Sequence, residues 1–178
     1  MKIVFALTGA PAASRMPEYL ARLRNAYEDA TFCVVVSQNA RMFVSETLLR
    51  NLCEIYINAD EVQVHPWHIT LAEEFDTLVT SPASAGRIGR FAAGLGIDLI
   101  DCLALSFASR HCIFPSTNPS MWDAPVVQRN VATLIESGVR VWQESSRCVE
   151  LSTGMLMDAV SVPSYDKWLR FIEKVSIK

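Results

Sequence analysis

A chain of 178 residues, 51% of them hydrophobic, holds enough apolar material for one continuous core, and a single domain over residues 1–178 is expected. The 16 Lys and Arg and 19 Asp and Glu leave a formal net charge of -3, and neither sign gathers into a run that would follow a phosphate backbone or an anionic bilayer. Nucleic acid and membrane are therefore not expected partners. Ile3 to Leu7 is too short an apolar stretch for a secretory signal, although Lys2 precedes it and Ala10-Pro11-Ala12-Ala13 follows. Charged residues break every other apolar stretch before the roughly 20 residues a membrane helix needs, so a cytoplasmic protein is expected. Cys33, Cys53, Cys102, Cys112 and Cys148 are odd in number and widely spaced. With no Cys-x-x-Cys or Cys/His ligand spacing they read as reduced thiols, and no metal is expected.

Along the chain, Ile3 to Leu7 reads as a buried strand closed by Thr8-Gly9-Ala10-Pro11. Met16, Leu20, Leu23 and Tyr27 then recur at helical spacing. A second β-branched run, Phe32 to Val36, leads through Ser37-Gln38-Asn39 into an amphipathic stretch carrying Phe43, Leu48 and Leu49. Thr77 to Thr80 is a further strand before Ser81-Pro82-Ala83-Ser84, followed by a helix from Arg87 to about Leu95. His111 to Phe114 stops at Pro115-Ser116-Thr117-Asn118, and Val127, Val131, Leu134 and Ile135 mark the next helix. Val139 to Trp142 is the last parallel strand. This alternation predicts a flavodoxin-like (Rossmann-like) α/β fold, a parallel sheet with helices on both faces. Near the end, Cys148 to Thr153 and Asp158 to Val162 are expected as hairpin arms with Gly154-Met155-Leu156-Met157 between them, before a helix buried through Tyr165, Trp168, Leu169 and Ile172.

In open parallel sheets ligands collect at the carboxyl ends of the strands. Those ends here carry hydroxyls and small residues that each lead into a helix N-terminus, where free N–H groups favour an anion such as a cofactor phosphate. Taken alone, such loops are also ordinary helix caps.

Three blocks carry a more specific likeness. His68-Ile69-Thr70-Leu71, Asp76 and Pro82-Ala83-Ser84-Ala85 form the first. Pro115-Ser116-Thr117-Asn118-Pro119-Ser120-Met121-Trp122, with Pro125, Gln128 and Asn130 behind, forms the second. Glu150-Leu151-Ser152-Thr153-Gly154 leading to Pro163 forms the third. Together they resemble the homo-oligomeric flavin-containing cysteine decarboxylases, and within them the epidermin-type peptidyl-cysteine decarboxylases. The N-terminal half agrees in layout more than in residues.

The resemblance implies FMN as cofactor, held by Gly9, Ser37, Pro82, Ala83 and Ser84. It implies His68 as base and Asn118 as carboxylate anchor, with Met121 completing the pocket and Ser152, Thr153 and Gly154 in a C-terminal hairpin-like substrate clamp. The implied substrate is a precursor peptide with a C-terminal cysteine, oxidatively decarboxylated to an aminoenethiol for aminovinyl-cysteine ring formation. The implied assembly is a homo-oligomer, a trimer or a dodecamer. The coenzyme A branch carries a Cys-Gly in the clamp, where this chain has Leu151-Ser152-Thr153-Gly154, so phosphopantothenoylcysteine decarboxylation is the alternative, and a non-catalytic regulatory subunit a further one.

Blander readings stand beside these. An isolated histidine is more often a satisfied structural residue, and for His68 only the spacing to Pro82 favours catalysis; His65 and His111 lack such support. Asn118 before Pro119 is a good helix cap, Ser37 can cap or bind phosphate, and the clamp can equally be a subunit contact. Ala10, Gly86, Thr117 and Ile97-Asp98 depart from the family pattern, which puts flavin affinity and subunit contacts in question.

Overall fold

Strands Lys2–Leu7 (β1), Thr31–Val36 (β2), Ile55–Asn58 (β3), Thr77–Ala83 (β4), His111–Pro115 (β5) and Arg140–Val141 (β6) form one parallel sheet in the order β3-β2-β1-β4-β5-β6. This computed structural model describes residues 1–61, 64–150 and 152–176. β1 and β2 are buried at every position but the first, because a parallel sheet is covered on both faces. Their side chains still alternate. Ile3, Phe5, Leu7, Phe32, Val34 and Val36 enter one core, and Val4, Ala6, Cys33 and Val35 enter the other.

The first core is closed by Met16–Ala26 (α1), Glu46–Leu52 (α2) and Tyr165–Ser176 (α8), through Met16, Leu20, Leu23, Leu49, Trp168 and Ile172. Trp168 stacks on Phe5 at 5.8 Å, and its indole N–H donates to Ser81 Oγ at 3.2 Å, so α8 is pinned to β4 by both packing and a hydrogen bond. The second core is closed by Trp67–Glu74 (α3), Ala85–Ala92 (α4), Leu99–Phe107 (α5) and Pro125–Glu136 (α7). The short helix Pro119–Trp122 (α6) follows β5. The flavodoxin-like, doubly wound architecture expected from the sequence is the one observed.

Several details differ from the sequence pattern. The chain adds β3, α3 and α5. β3 is a four-residue, half-buried edge strand, and α5 is apolar along nearly its whole length, so neither displays a clear period. α4 begins at Ala85 and ends at Ala92, short of Leu95, because Gly94 at φ +65° turns the chain out of the helix. Hairpin strands Ser145–Val149 (β7) and Leu156–Val160 (β8) begin earlier than expected. Gly154 at φ +71° lets its N–H reach the Glu150 carbonyl at 2.8 Å, which closes the turn and pairs Leu156 with Val149. Leu156 and Met157 therefore lie in an arm, and Met155 alone of the three sits in the turn. No helix among the described residues is long and apolar enough to cross a membrane.

Candidate functional site

The order of the sheet reverses between β1 and β4, and the crevice opens there at the carboxyl ends of the strands. Thr8 fixes its floor. The Thr8 hydroxyl donates to the Pro82 carbonyl at 2.9 Å and accepts from the Ser84 N–H at 3.2 Å, tying the loop after β1 to the end of β4. Ser37, buried, caps the 3-10 turn Gln38–Met42 by accepting from the Ala40 N–H, and Ser84 caps α4 by accepting from the Arg87 N–H. Gly9 is needed where it stands, since a Cβ there would collide with that of Asn39.

Thr8, Gly9, Ser37, Ser84 and His68 line one cavity of about 730 Å³. That lies within the roughly 300–1,000 Å³ of small-molecule sites. Hydroxyls at two helix starts and a close backbone approach suit a phosphate, so the residues present fit FMN. Of the sequence candidates for the cofactor, Gly9, Ser37 and Ser84 reach this cavity. Pro82 and Ala83 do not; Ala83 is wholly buried, and Pro82 takes part through its carbonyl oxygen.

His68 lies in the first turn of α3, half-buried, and its ring forms no hydrogen bond with a described residue. Neighbouring His65 is engaged instead, with Nε2 2.9 Å from Thr70 Oγ1. His111 is structural. Burial alone pushes its pKa down to about 3, and Nε2 lies 2.8 Å from Thr80 Oγ1.

Arg87 and Arg90 line the far wall of the cavity and pair with Asp98 and Asp101. Three of the four are nearly or fully buried, with Arg87 at 4%, Asp98 at 9% and Asp101 at 0% side-chain exposure, and two acids balance two bases. Burial raises the Asp98 carboxyl, but the hydrogen bonds and charge of Arg87 outweigh it and hold the group below the usual carboxylate range. The departure at Asp98 thus comes with its own partner.

Asn118 sits elsewhere. It lines a second cavity, of about 440 Å³, with Pro11, Arg15, Thr117, Cys148, Glu150 and Ser152. Its Oδ1 accepts from the Ser120 N–H at 3.0 Å and caps α6, while Nδ2 donates to Glu150 Oε1 at 3.4 Å. Cap and anchor are therefore compatible, because the carbonyl serves the helix and the amide hydrogens face the clamp. Ser152 shares this cavity; Met121, half-exposed, and the exposed Thr153 and Gly154 line neither cavity. Ser14, close in sequence to the departing Ala10, also faces the second cavity and supplies no hydroxyl to the first.

The two cavities share no lining residue and flank the loop from Gly9 to Pro11. Within one chain the structure groups His68 with the Gly9, Ser37 and Ser84 loops, and Asn118 with the hairpin. Thr8, Arg15 and Glu150 are site residues that sequence reasoning missed. Thr8 was signalled by its place at a strand end and Glu150 by its place in the third block, whereas nothing local marks Arg15.

Residues 1–172 match the family model described as Flavoprotein. The chain belongs to the Flavoprotein family. Within this family it is 26% identical over 168 residues to the coenzyme A biosynthesis bifunctional protein CoaBC of Escherichia coli K12, covering 90% of this chain and 41% of that protein. The chain thus spans about two fifths of that relative's length. It is 22% identical over 173 residues to epidermin decarboxylase of Staphylococcus epidermidis, covering 96% of this chain and 93% of the relative. Among solved structures, the epidermin biosynthesis protein EpiD from Staphylococcus aureus superposes with a TM-score of 0.86 at 25% identity, covering 97% of this chain and 100% of that one.

Proposed function

We propose that this Flavoprotein-family chain is an FMN-dependent cytoplasmic decarboxylase acting on the C-terminal cysteine of a precursor peptide. Similarity to epidermin decarboxylase over nearly the full length of both chains supports the peptide substrate. The observation that carries the reading is the divided duty of Asn118. With Oδ1 committed to Ser120 and one Nδ2 hydrogen directed at Glu150 across 3.4 Å, the second amide hydrogen is left as a donor at the clamp cavity, the kind of group a terminal carboxylate needs.

The Gly9, Ser37 and Ser84 loops would hold FMN, which when bound would supply the two-electron oxidant for the cysteine β-carbon. His68 takes the thiol proton, so that the substrate becomes a thioaldehyde; its carbonyl-like sulfur then draws off the electron pair released as carbon dioxide departs, leaving an aminoenethiol. Asn118 orients the carboxylate without the full charge of an arginine. That choice matters, because a strong ion pair to a group that must leave would stabilise the ground state more than the transition state.

Since His68 and Asn118 line different cavities, the complete site is formed by two copies of the chain, the flavin cavity of one facing the clamp cavity of another. Half-exposed apolar residues stand beside both, Ile69 next to His68 and Met121 three residues after Asn118, as a subunit contact requires. The test is to incubate purified protein with Cys-terminated peptides and follow mass. Loss of carbon dioxide together with two hydrogens supports the assignment, and no change in any peptide refutes it. Mixing impaired His68→Asn with impaired Asn118→Asp protein tests the shared site, because only a site built from two copies yields a mixture more active than either variant alone.

A second reading rests on Cys148, which lines the clamp cavity with Asn118 and whose pKa burial raises, keeping it a protonated thiol able to donate. Such a donor would let the reducing equivalents return to the product, as phosphopantothenoylcysteine decarboxylation requires, and the likeness to CoaBC is consistent with it. This substrate would lose carbon dioxide alone, and Cys148→Ser would convert that outcome to loss of two further hydrogens.

A further inference from the structure

The clamp cavity holds a cation that the reaction does not use. Arg15, at the end of the 3-10 turn Pro11–Arg15, lines that cavity opposite the hairpin, and its Nη1 donates to the Val162 carbonyl at 3.0 Å. Unlike Arg22, Arg24, Arg87 and Arg90, it forms no ion pair with a carboxylate among the described residues. Glu150 shares the cavity, but its carboxylate accepts from Thr153 Oγ1 at 2.8 Å and Asn118 Nδ2 at 3.4 Å and forms no ion pair with Arg15. A second polar group is left over in the same wall, since Thr117 Oγ1 is buried without a hydrogen-bond partner among the described residues.

Physical chemistry narrows what these two groups await. The Arg15 guanidinium is held by the Val162 carbonyl and by the Tyr19 hydroxyl, both neutral. Its full positive charge thus faces the cavity without a carboxylate at ion-pair distance among the described residues, a setting that favours an anion. The charge reaches across the cavity, because Arg15 pulls the Cys148 thiol pKa down against the upward push of burial. Within the reaction, however, the terminal carboxylate is the wrong ligand, since it must leave uncharged and Asn118 already holds it. An anion that stays on the substrate throughout is the right one.

We propose that Arg15 is a specificity-determining residue that binds the side-chain carboxylate of an acidic residue upstream of the terminal cysteine, with Thr117 Oγ1 as its hydroxyl neighbour. The inference rests on the proposed peptidyl-cysteine activity and deepens it: the substrate is an acidic peptide.

The experiment compares short N-acetylated Cys-terminated peptides that carry Asp, or its amide Asn, at successive positions before the cysteine. Wild type is expected to favour Asp at one of these positions by about ten-fold in kcat/KM, through KM, as one charge-assisted hydrogen-bonded pair provides. Arg15→Gln collapses this ratio to near unity, Arg15→Lys keeps part of it, and Arg15→Glu turns the preference toward Lys-bearing peptides. A change in folding alone would lower turnover of both peptides together and leave the ratio as it was. If wild type shows no preference for Asp at any position, or if Arg15→Gln retains it, the inference is overturned while the decarboxylase assignment stands. Peptide affinities measured by fluorescence in the His68→Asn protein report the same ratio without turnover, so a failed reaction is told apart from a failed subsite.

Discussion

Replacing Asn118 with aspartate separates its two duties. Asp is as good a helix cap as Asn, so the oxygen that accepts from the Ser120 N–H at 3.0 Å is kept and α6 keeps its start. The amide that donates to Glu150 Oε1 at 3.4 Å is lost and a second carboxylate faces the first, both at the surface, where such a pair costs at most about 1 kcal/mol. For a chain of 178 residues the melting temperature should then fall by no more than about 4 °C. The effect on substrate is larger. Loss of a hydrogen bond to a carboxylate removes about 1.5–3 kcal/mol, and the added like charge brings further repulsion, so kcat/KM should drop by about 10- to 150-fold or more. FMN content should not change, since Asn118 does not line the flavin cavity. Mass spectrometry of a Cys-terminated peptide gives the rate, and visible absorbance gives the bound flavin. Turnover within a factor of about three of wild type, with the fold intact, would refute the anchor role.

His68→Asn should keep its flavin but slow decarboxylation by about 100-fold or more, and peptide added without oxygen should no longer bleach the flavin band. Asp101→Asn leaves Arg87 and Arg90 with Asp98 as their one acid in a buried cluster and should cost about 3–5 kcal/mol, read as a melting temperature lower by about 10 °C. His111 carries a pKa of about 3 in the fold against 6.5 unfolded, so the unfolded chain takes up a proton first as pH falls. Stability is therefore lost below about pH 6.5, by about 2 kcal/mol between about pH 7 and pH 5 from this group alone. Denaturant melts of wild type and His111→Gln at both pH values isolate that difference, and an equal pH dependence in the two proteins would contradict it.

How much of this was legible in the sequence follows from what each segment must bury. β1 and β2 were legible because an uninterrupted apolar run of five residues, Ile3 to Leu7 or Phe32 to Val36, is too short for a buried helix and fits a strand covered on both faces. α1 was legible through Met16, Leu20 and Leu23 at helical spacing. β3 was not, because an edge strand of four residues buries only one side chain fully enough to print a pattern. The hairpin was placed late because its turn is set by the φ of Gly154 and not by polarity, and the Met155-Leu156 step gives no hint of where pairing begins. At the site, loop residues at strand ends were legible as such, but the sharing of His68 and Asn118 between two cavities depends on long-range packing that no local window contains. Arg15 is invisible for the same reason: its neighbours Val162, Thr117 and Cys148 come from the far end of the chain.

The departures from the family pattern fall unevenly, and their distribution carries information. Beside the flavin cavity they are balanced within the protein. Asp98 caps α5 and pairs with Arg87, and an added Cβ at Gly86 would meet nothing within 4 Å. A network whose charges cancel places little demand on its ligand, so the same cofactor can be held by different residues. Beside the clamp cavity the departures are not balanced. Thr117 contributes a buried hydroxyl with no partner among the described residues, beside Arg15, which forms no ion pair with a described carboxylate. Leaving a buried hydroxyl unsatisfied costs about 1–3 kcal/mol, a penalty that a ligand able to accept from it removes. On the proposed reading, substrate discrimination therefore belongs on the clamp side of the loop between Gly9 and Pro11, where Arg15 and Thr117 stand beside Asn118.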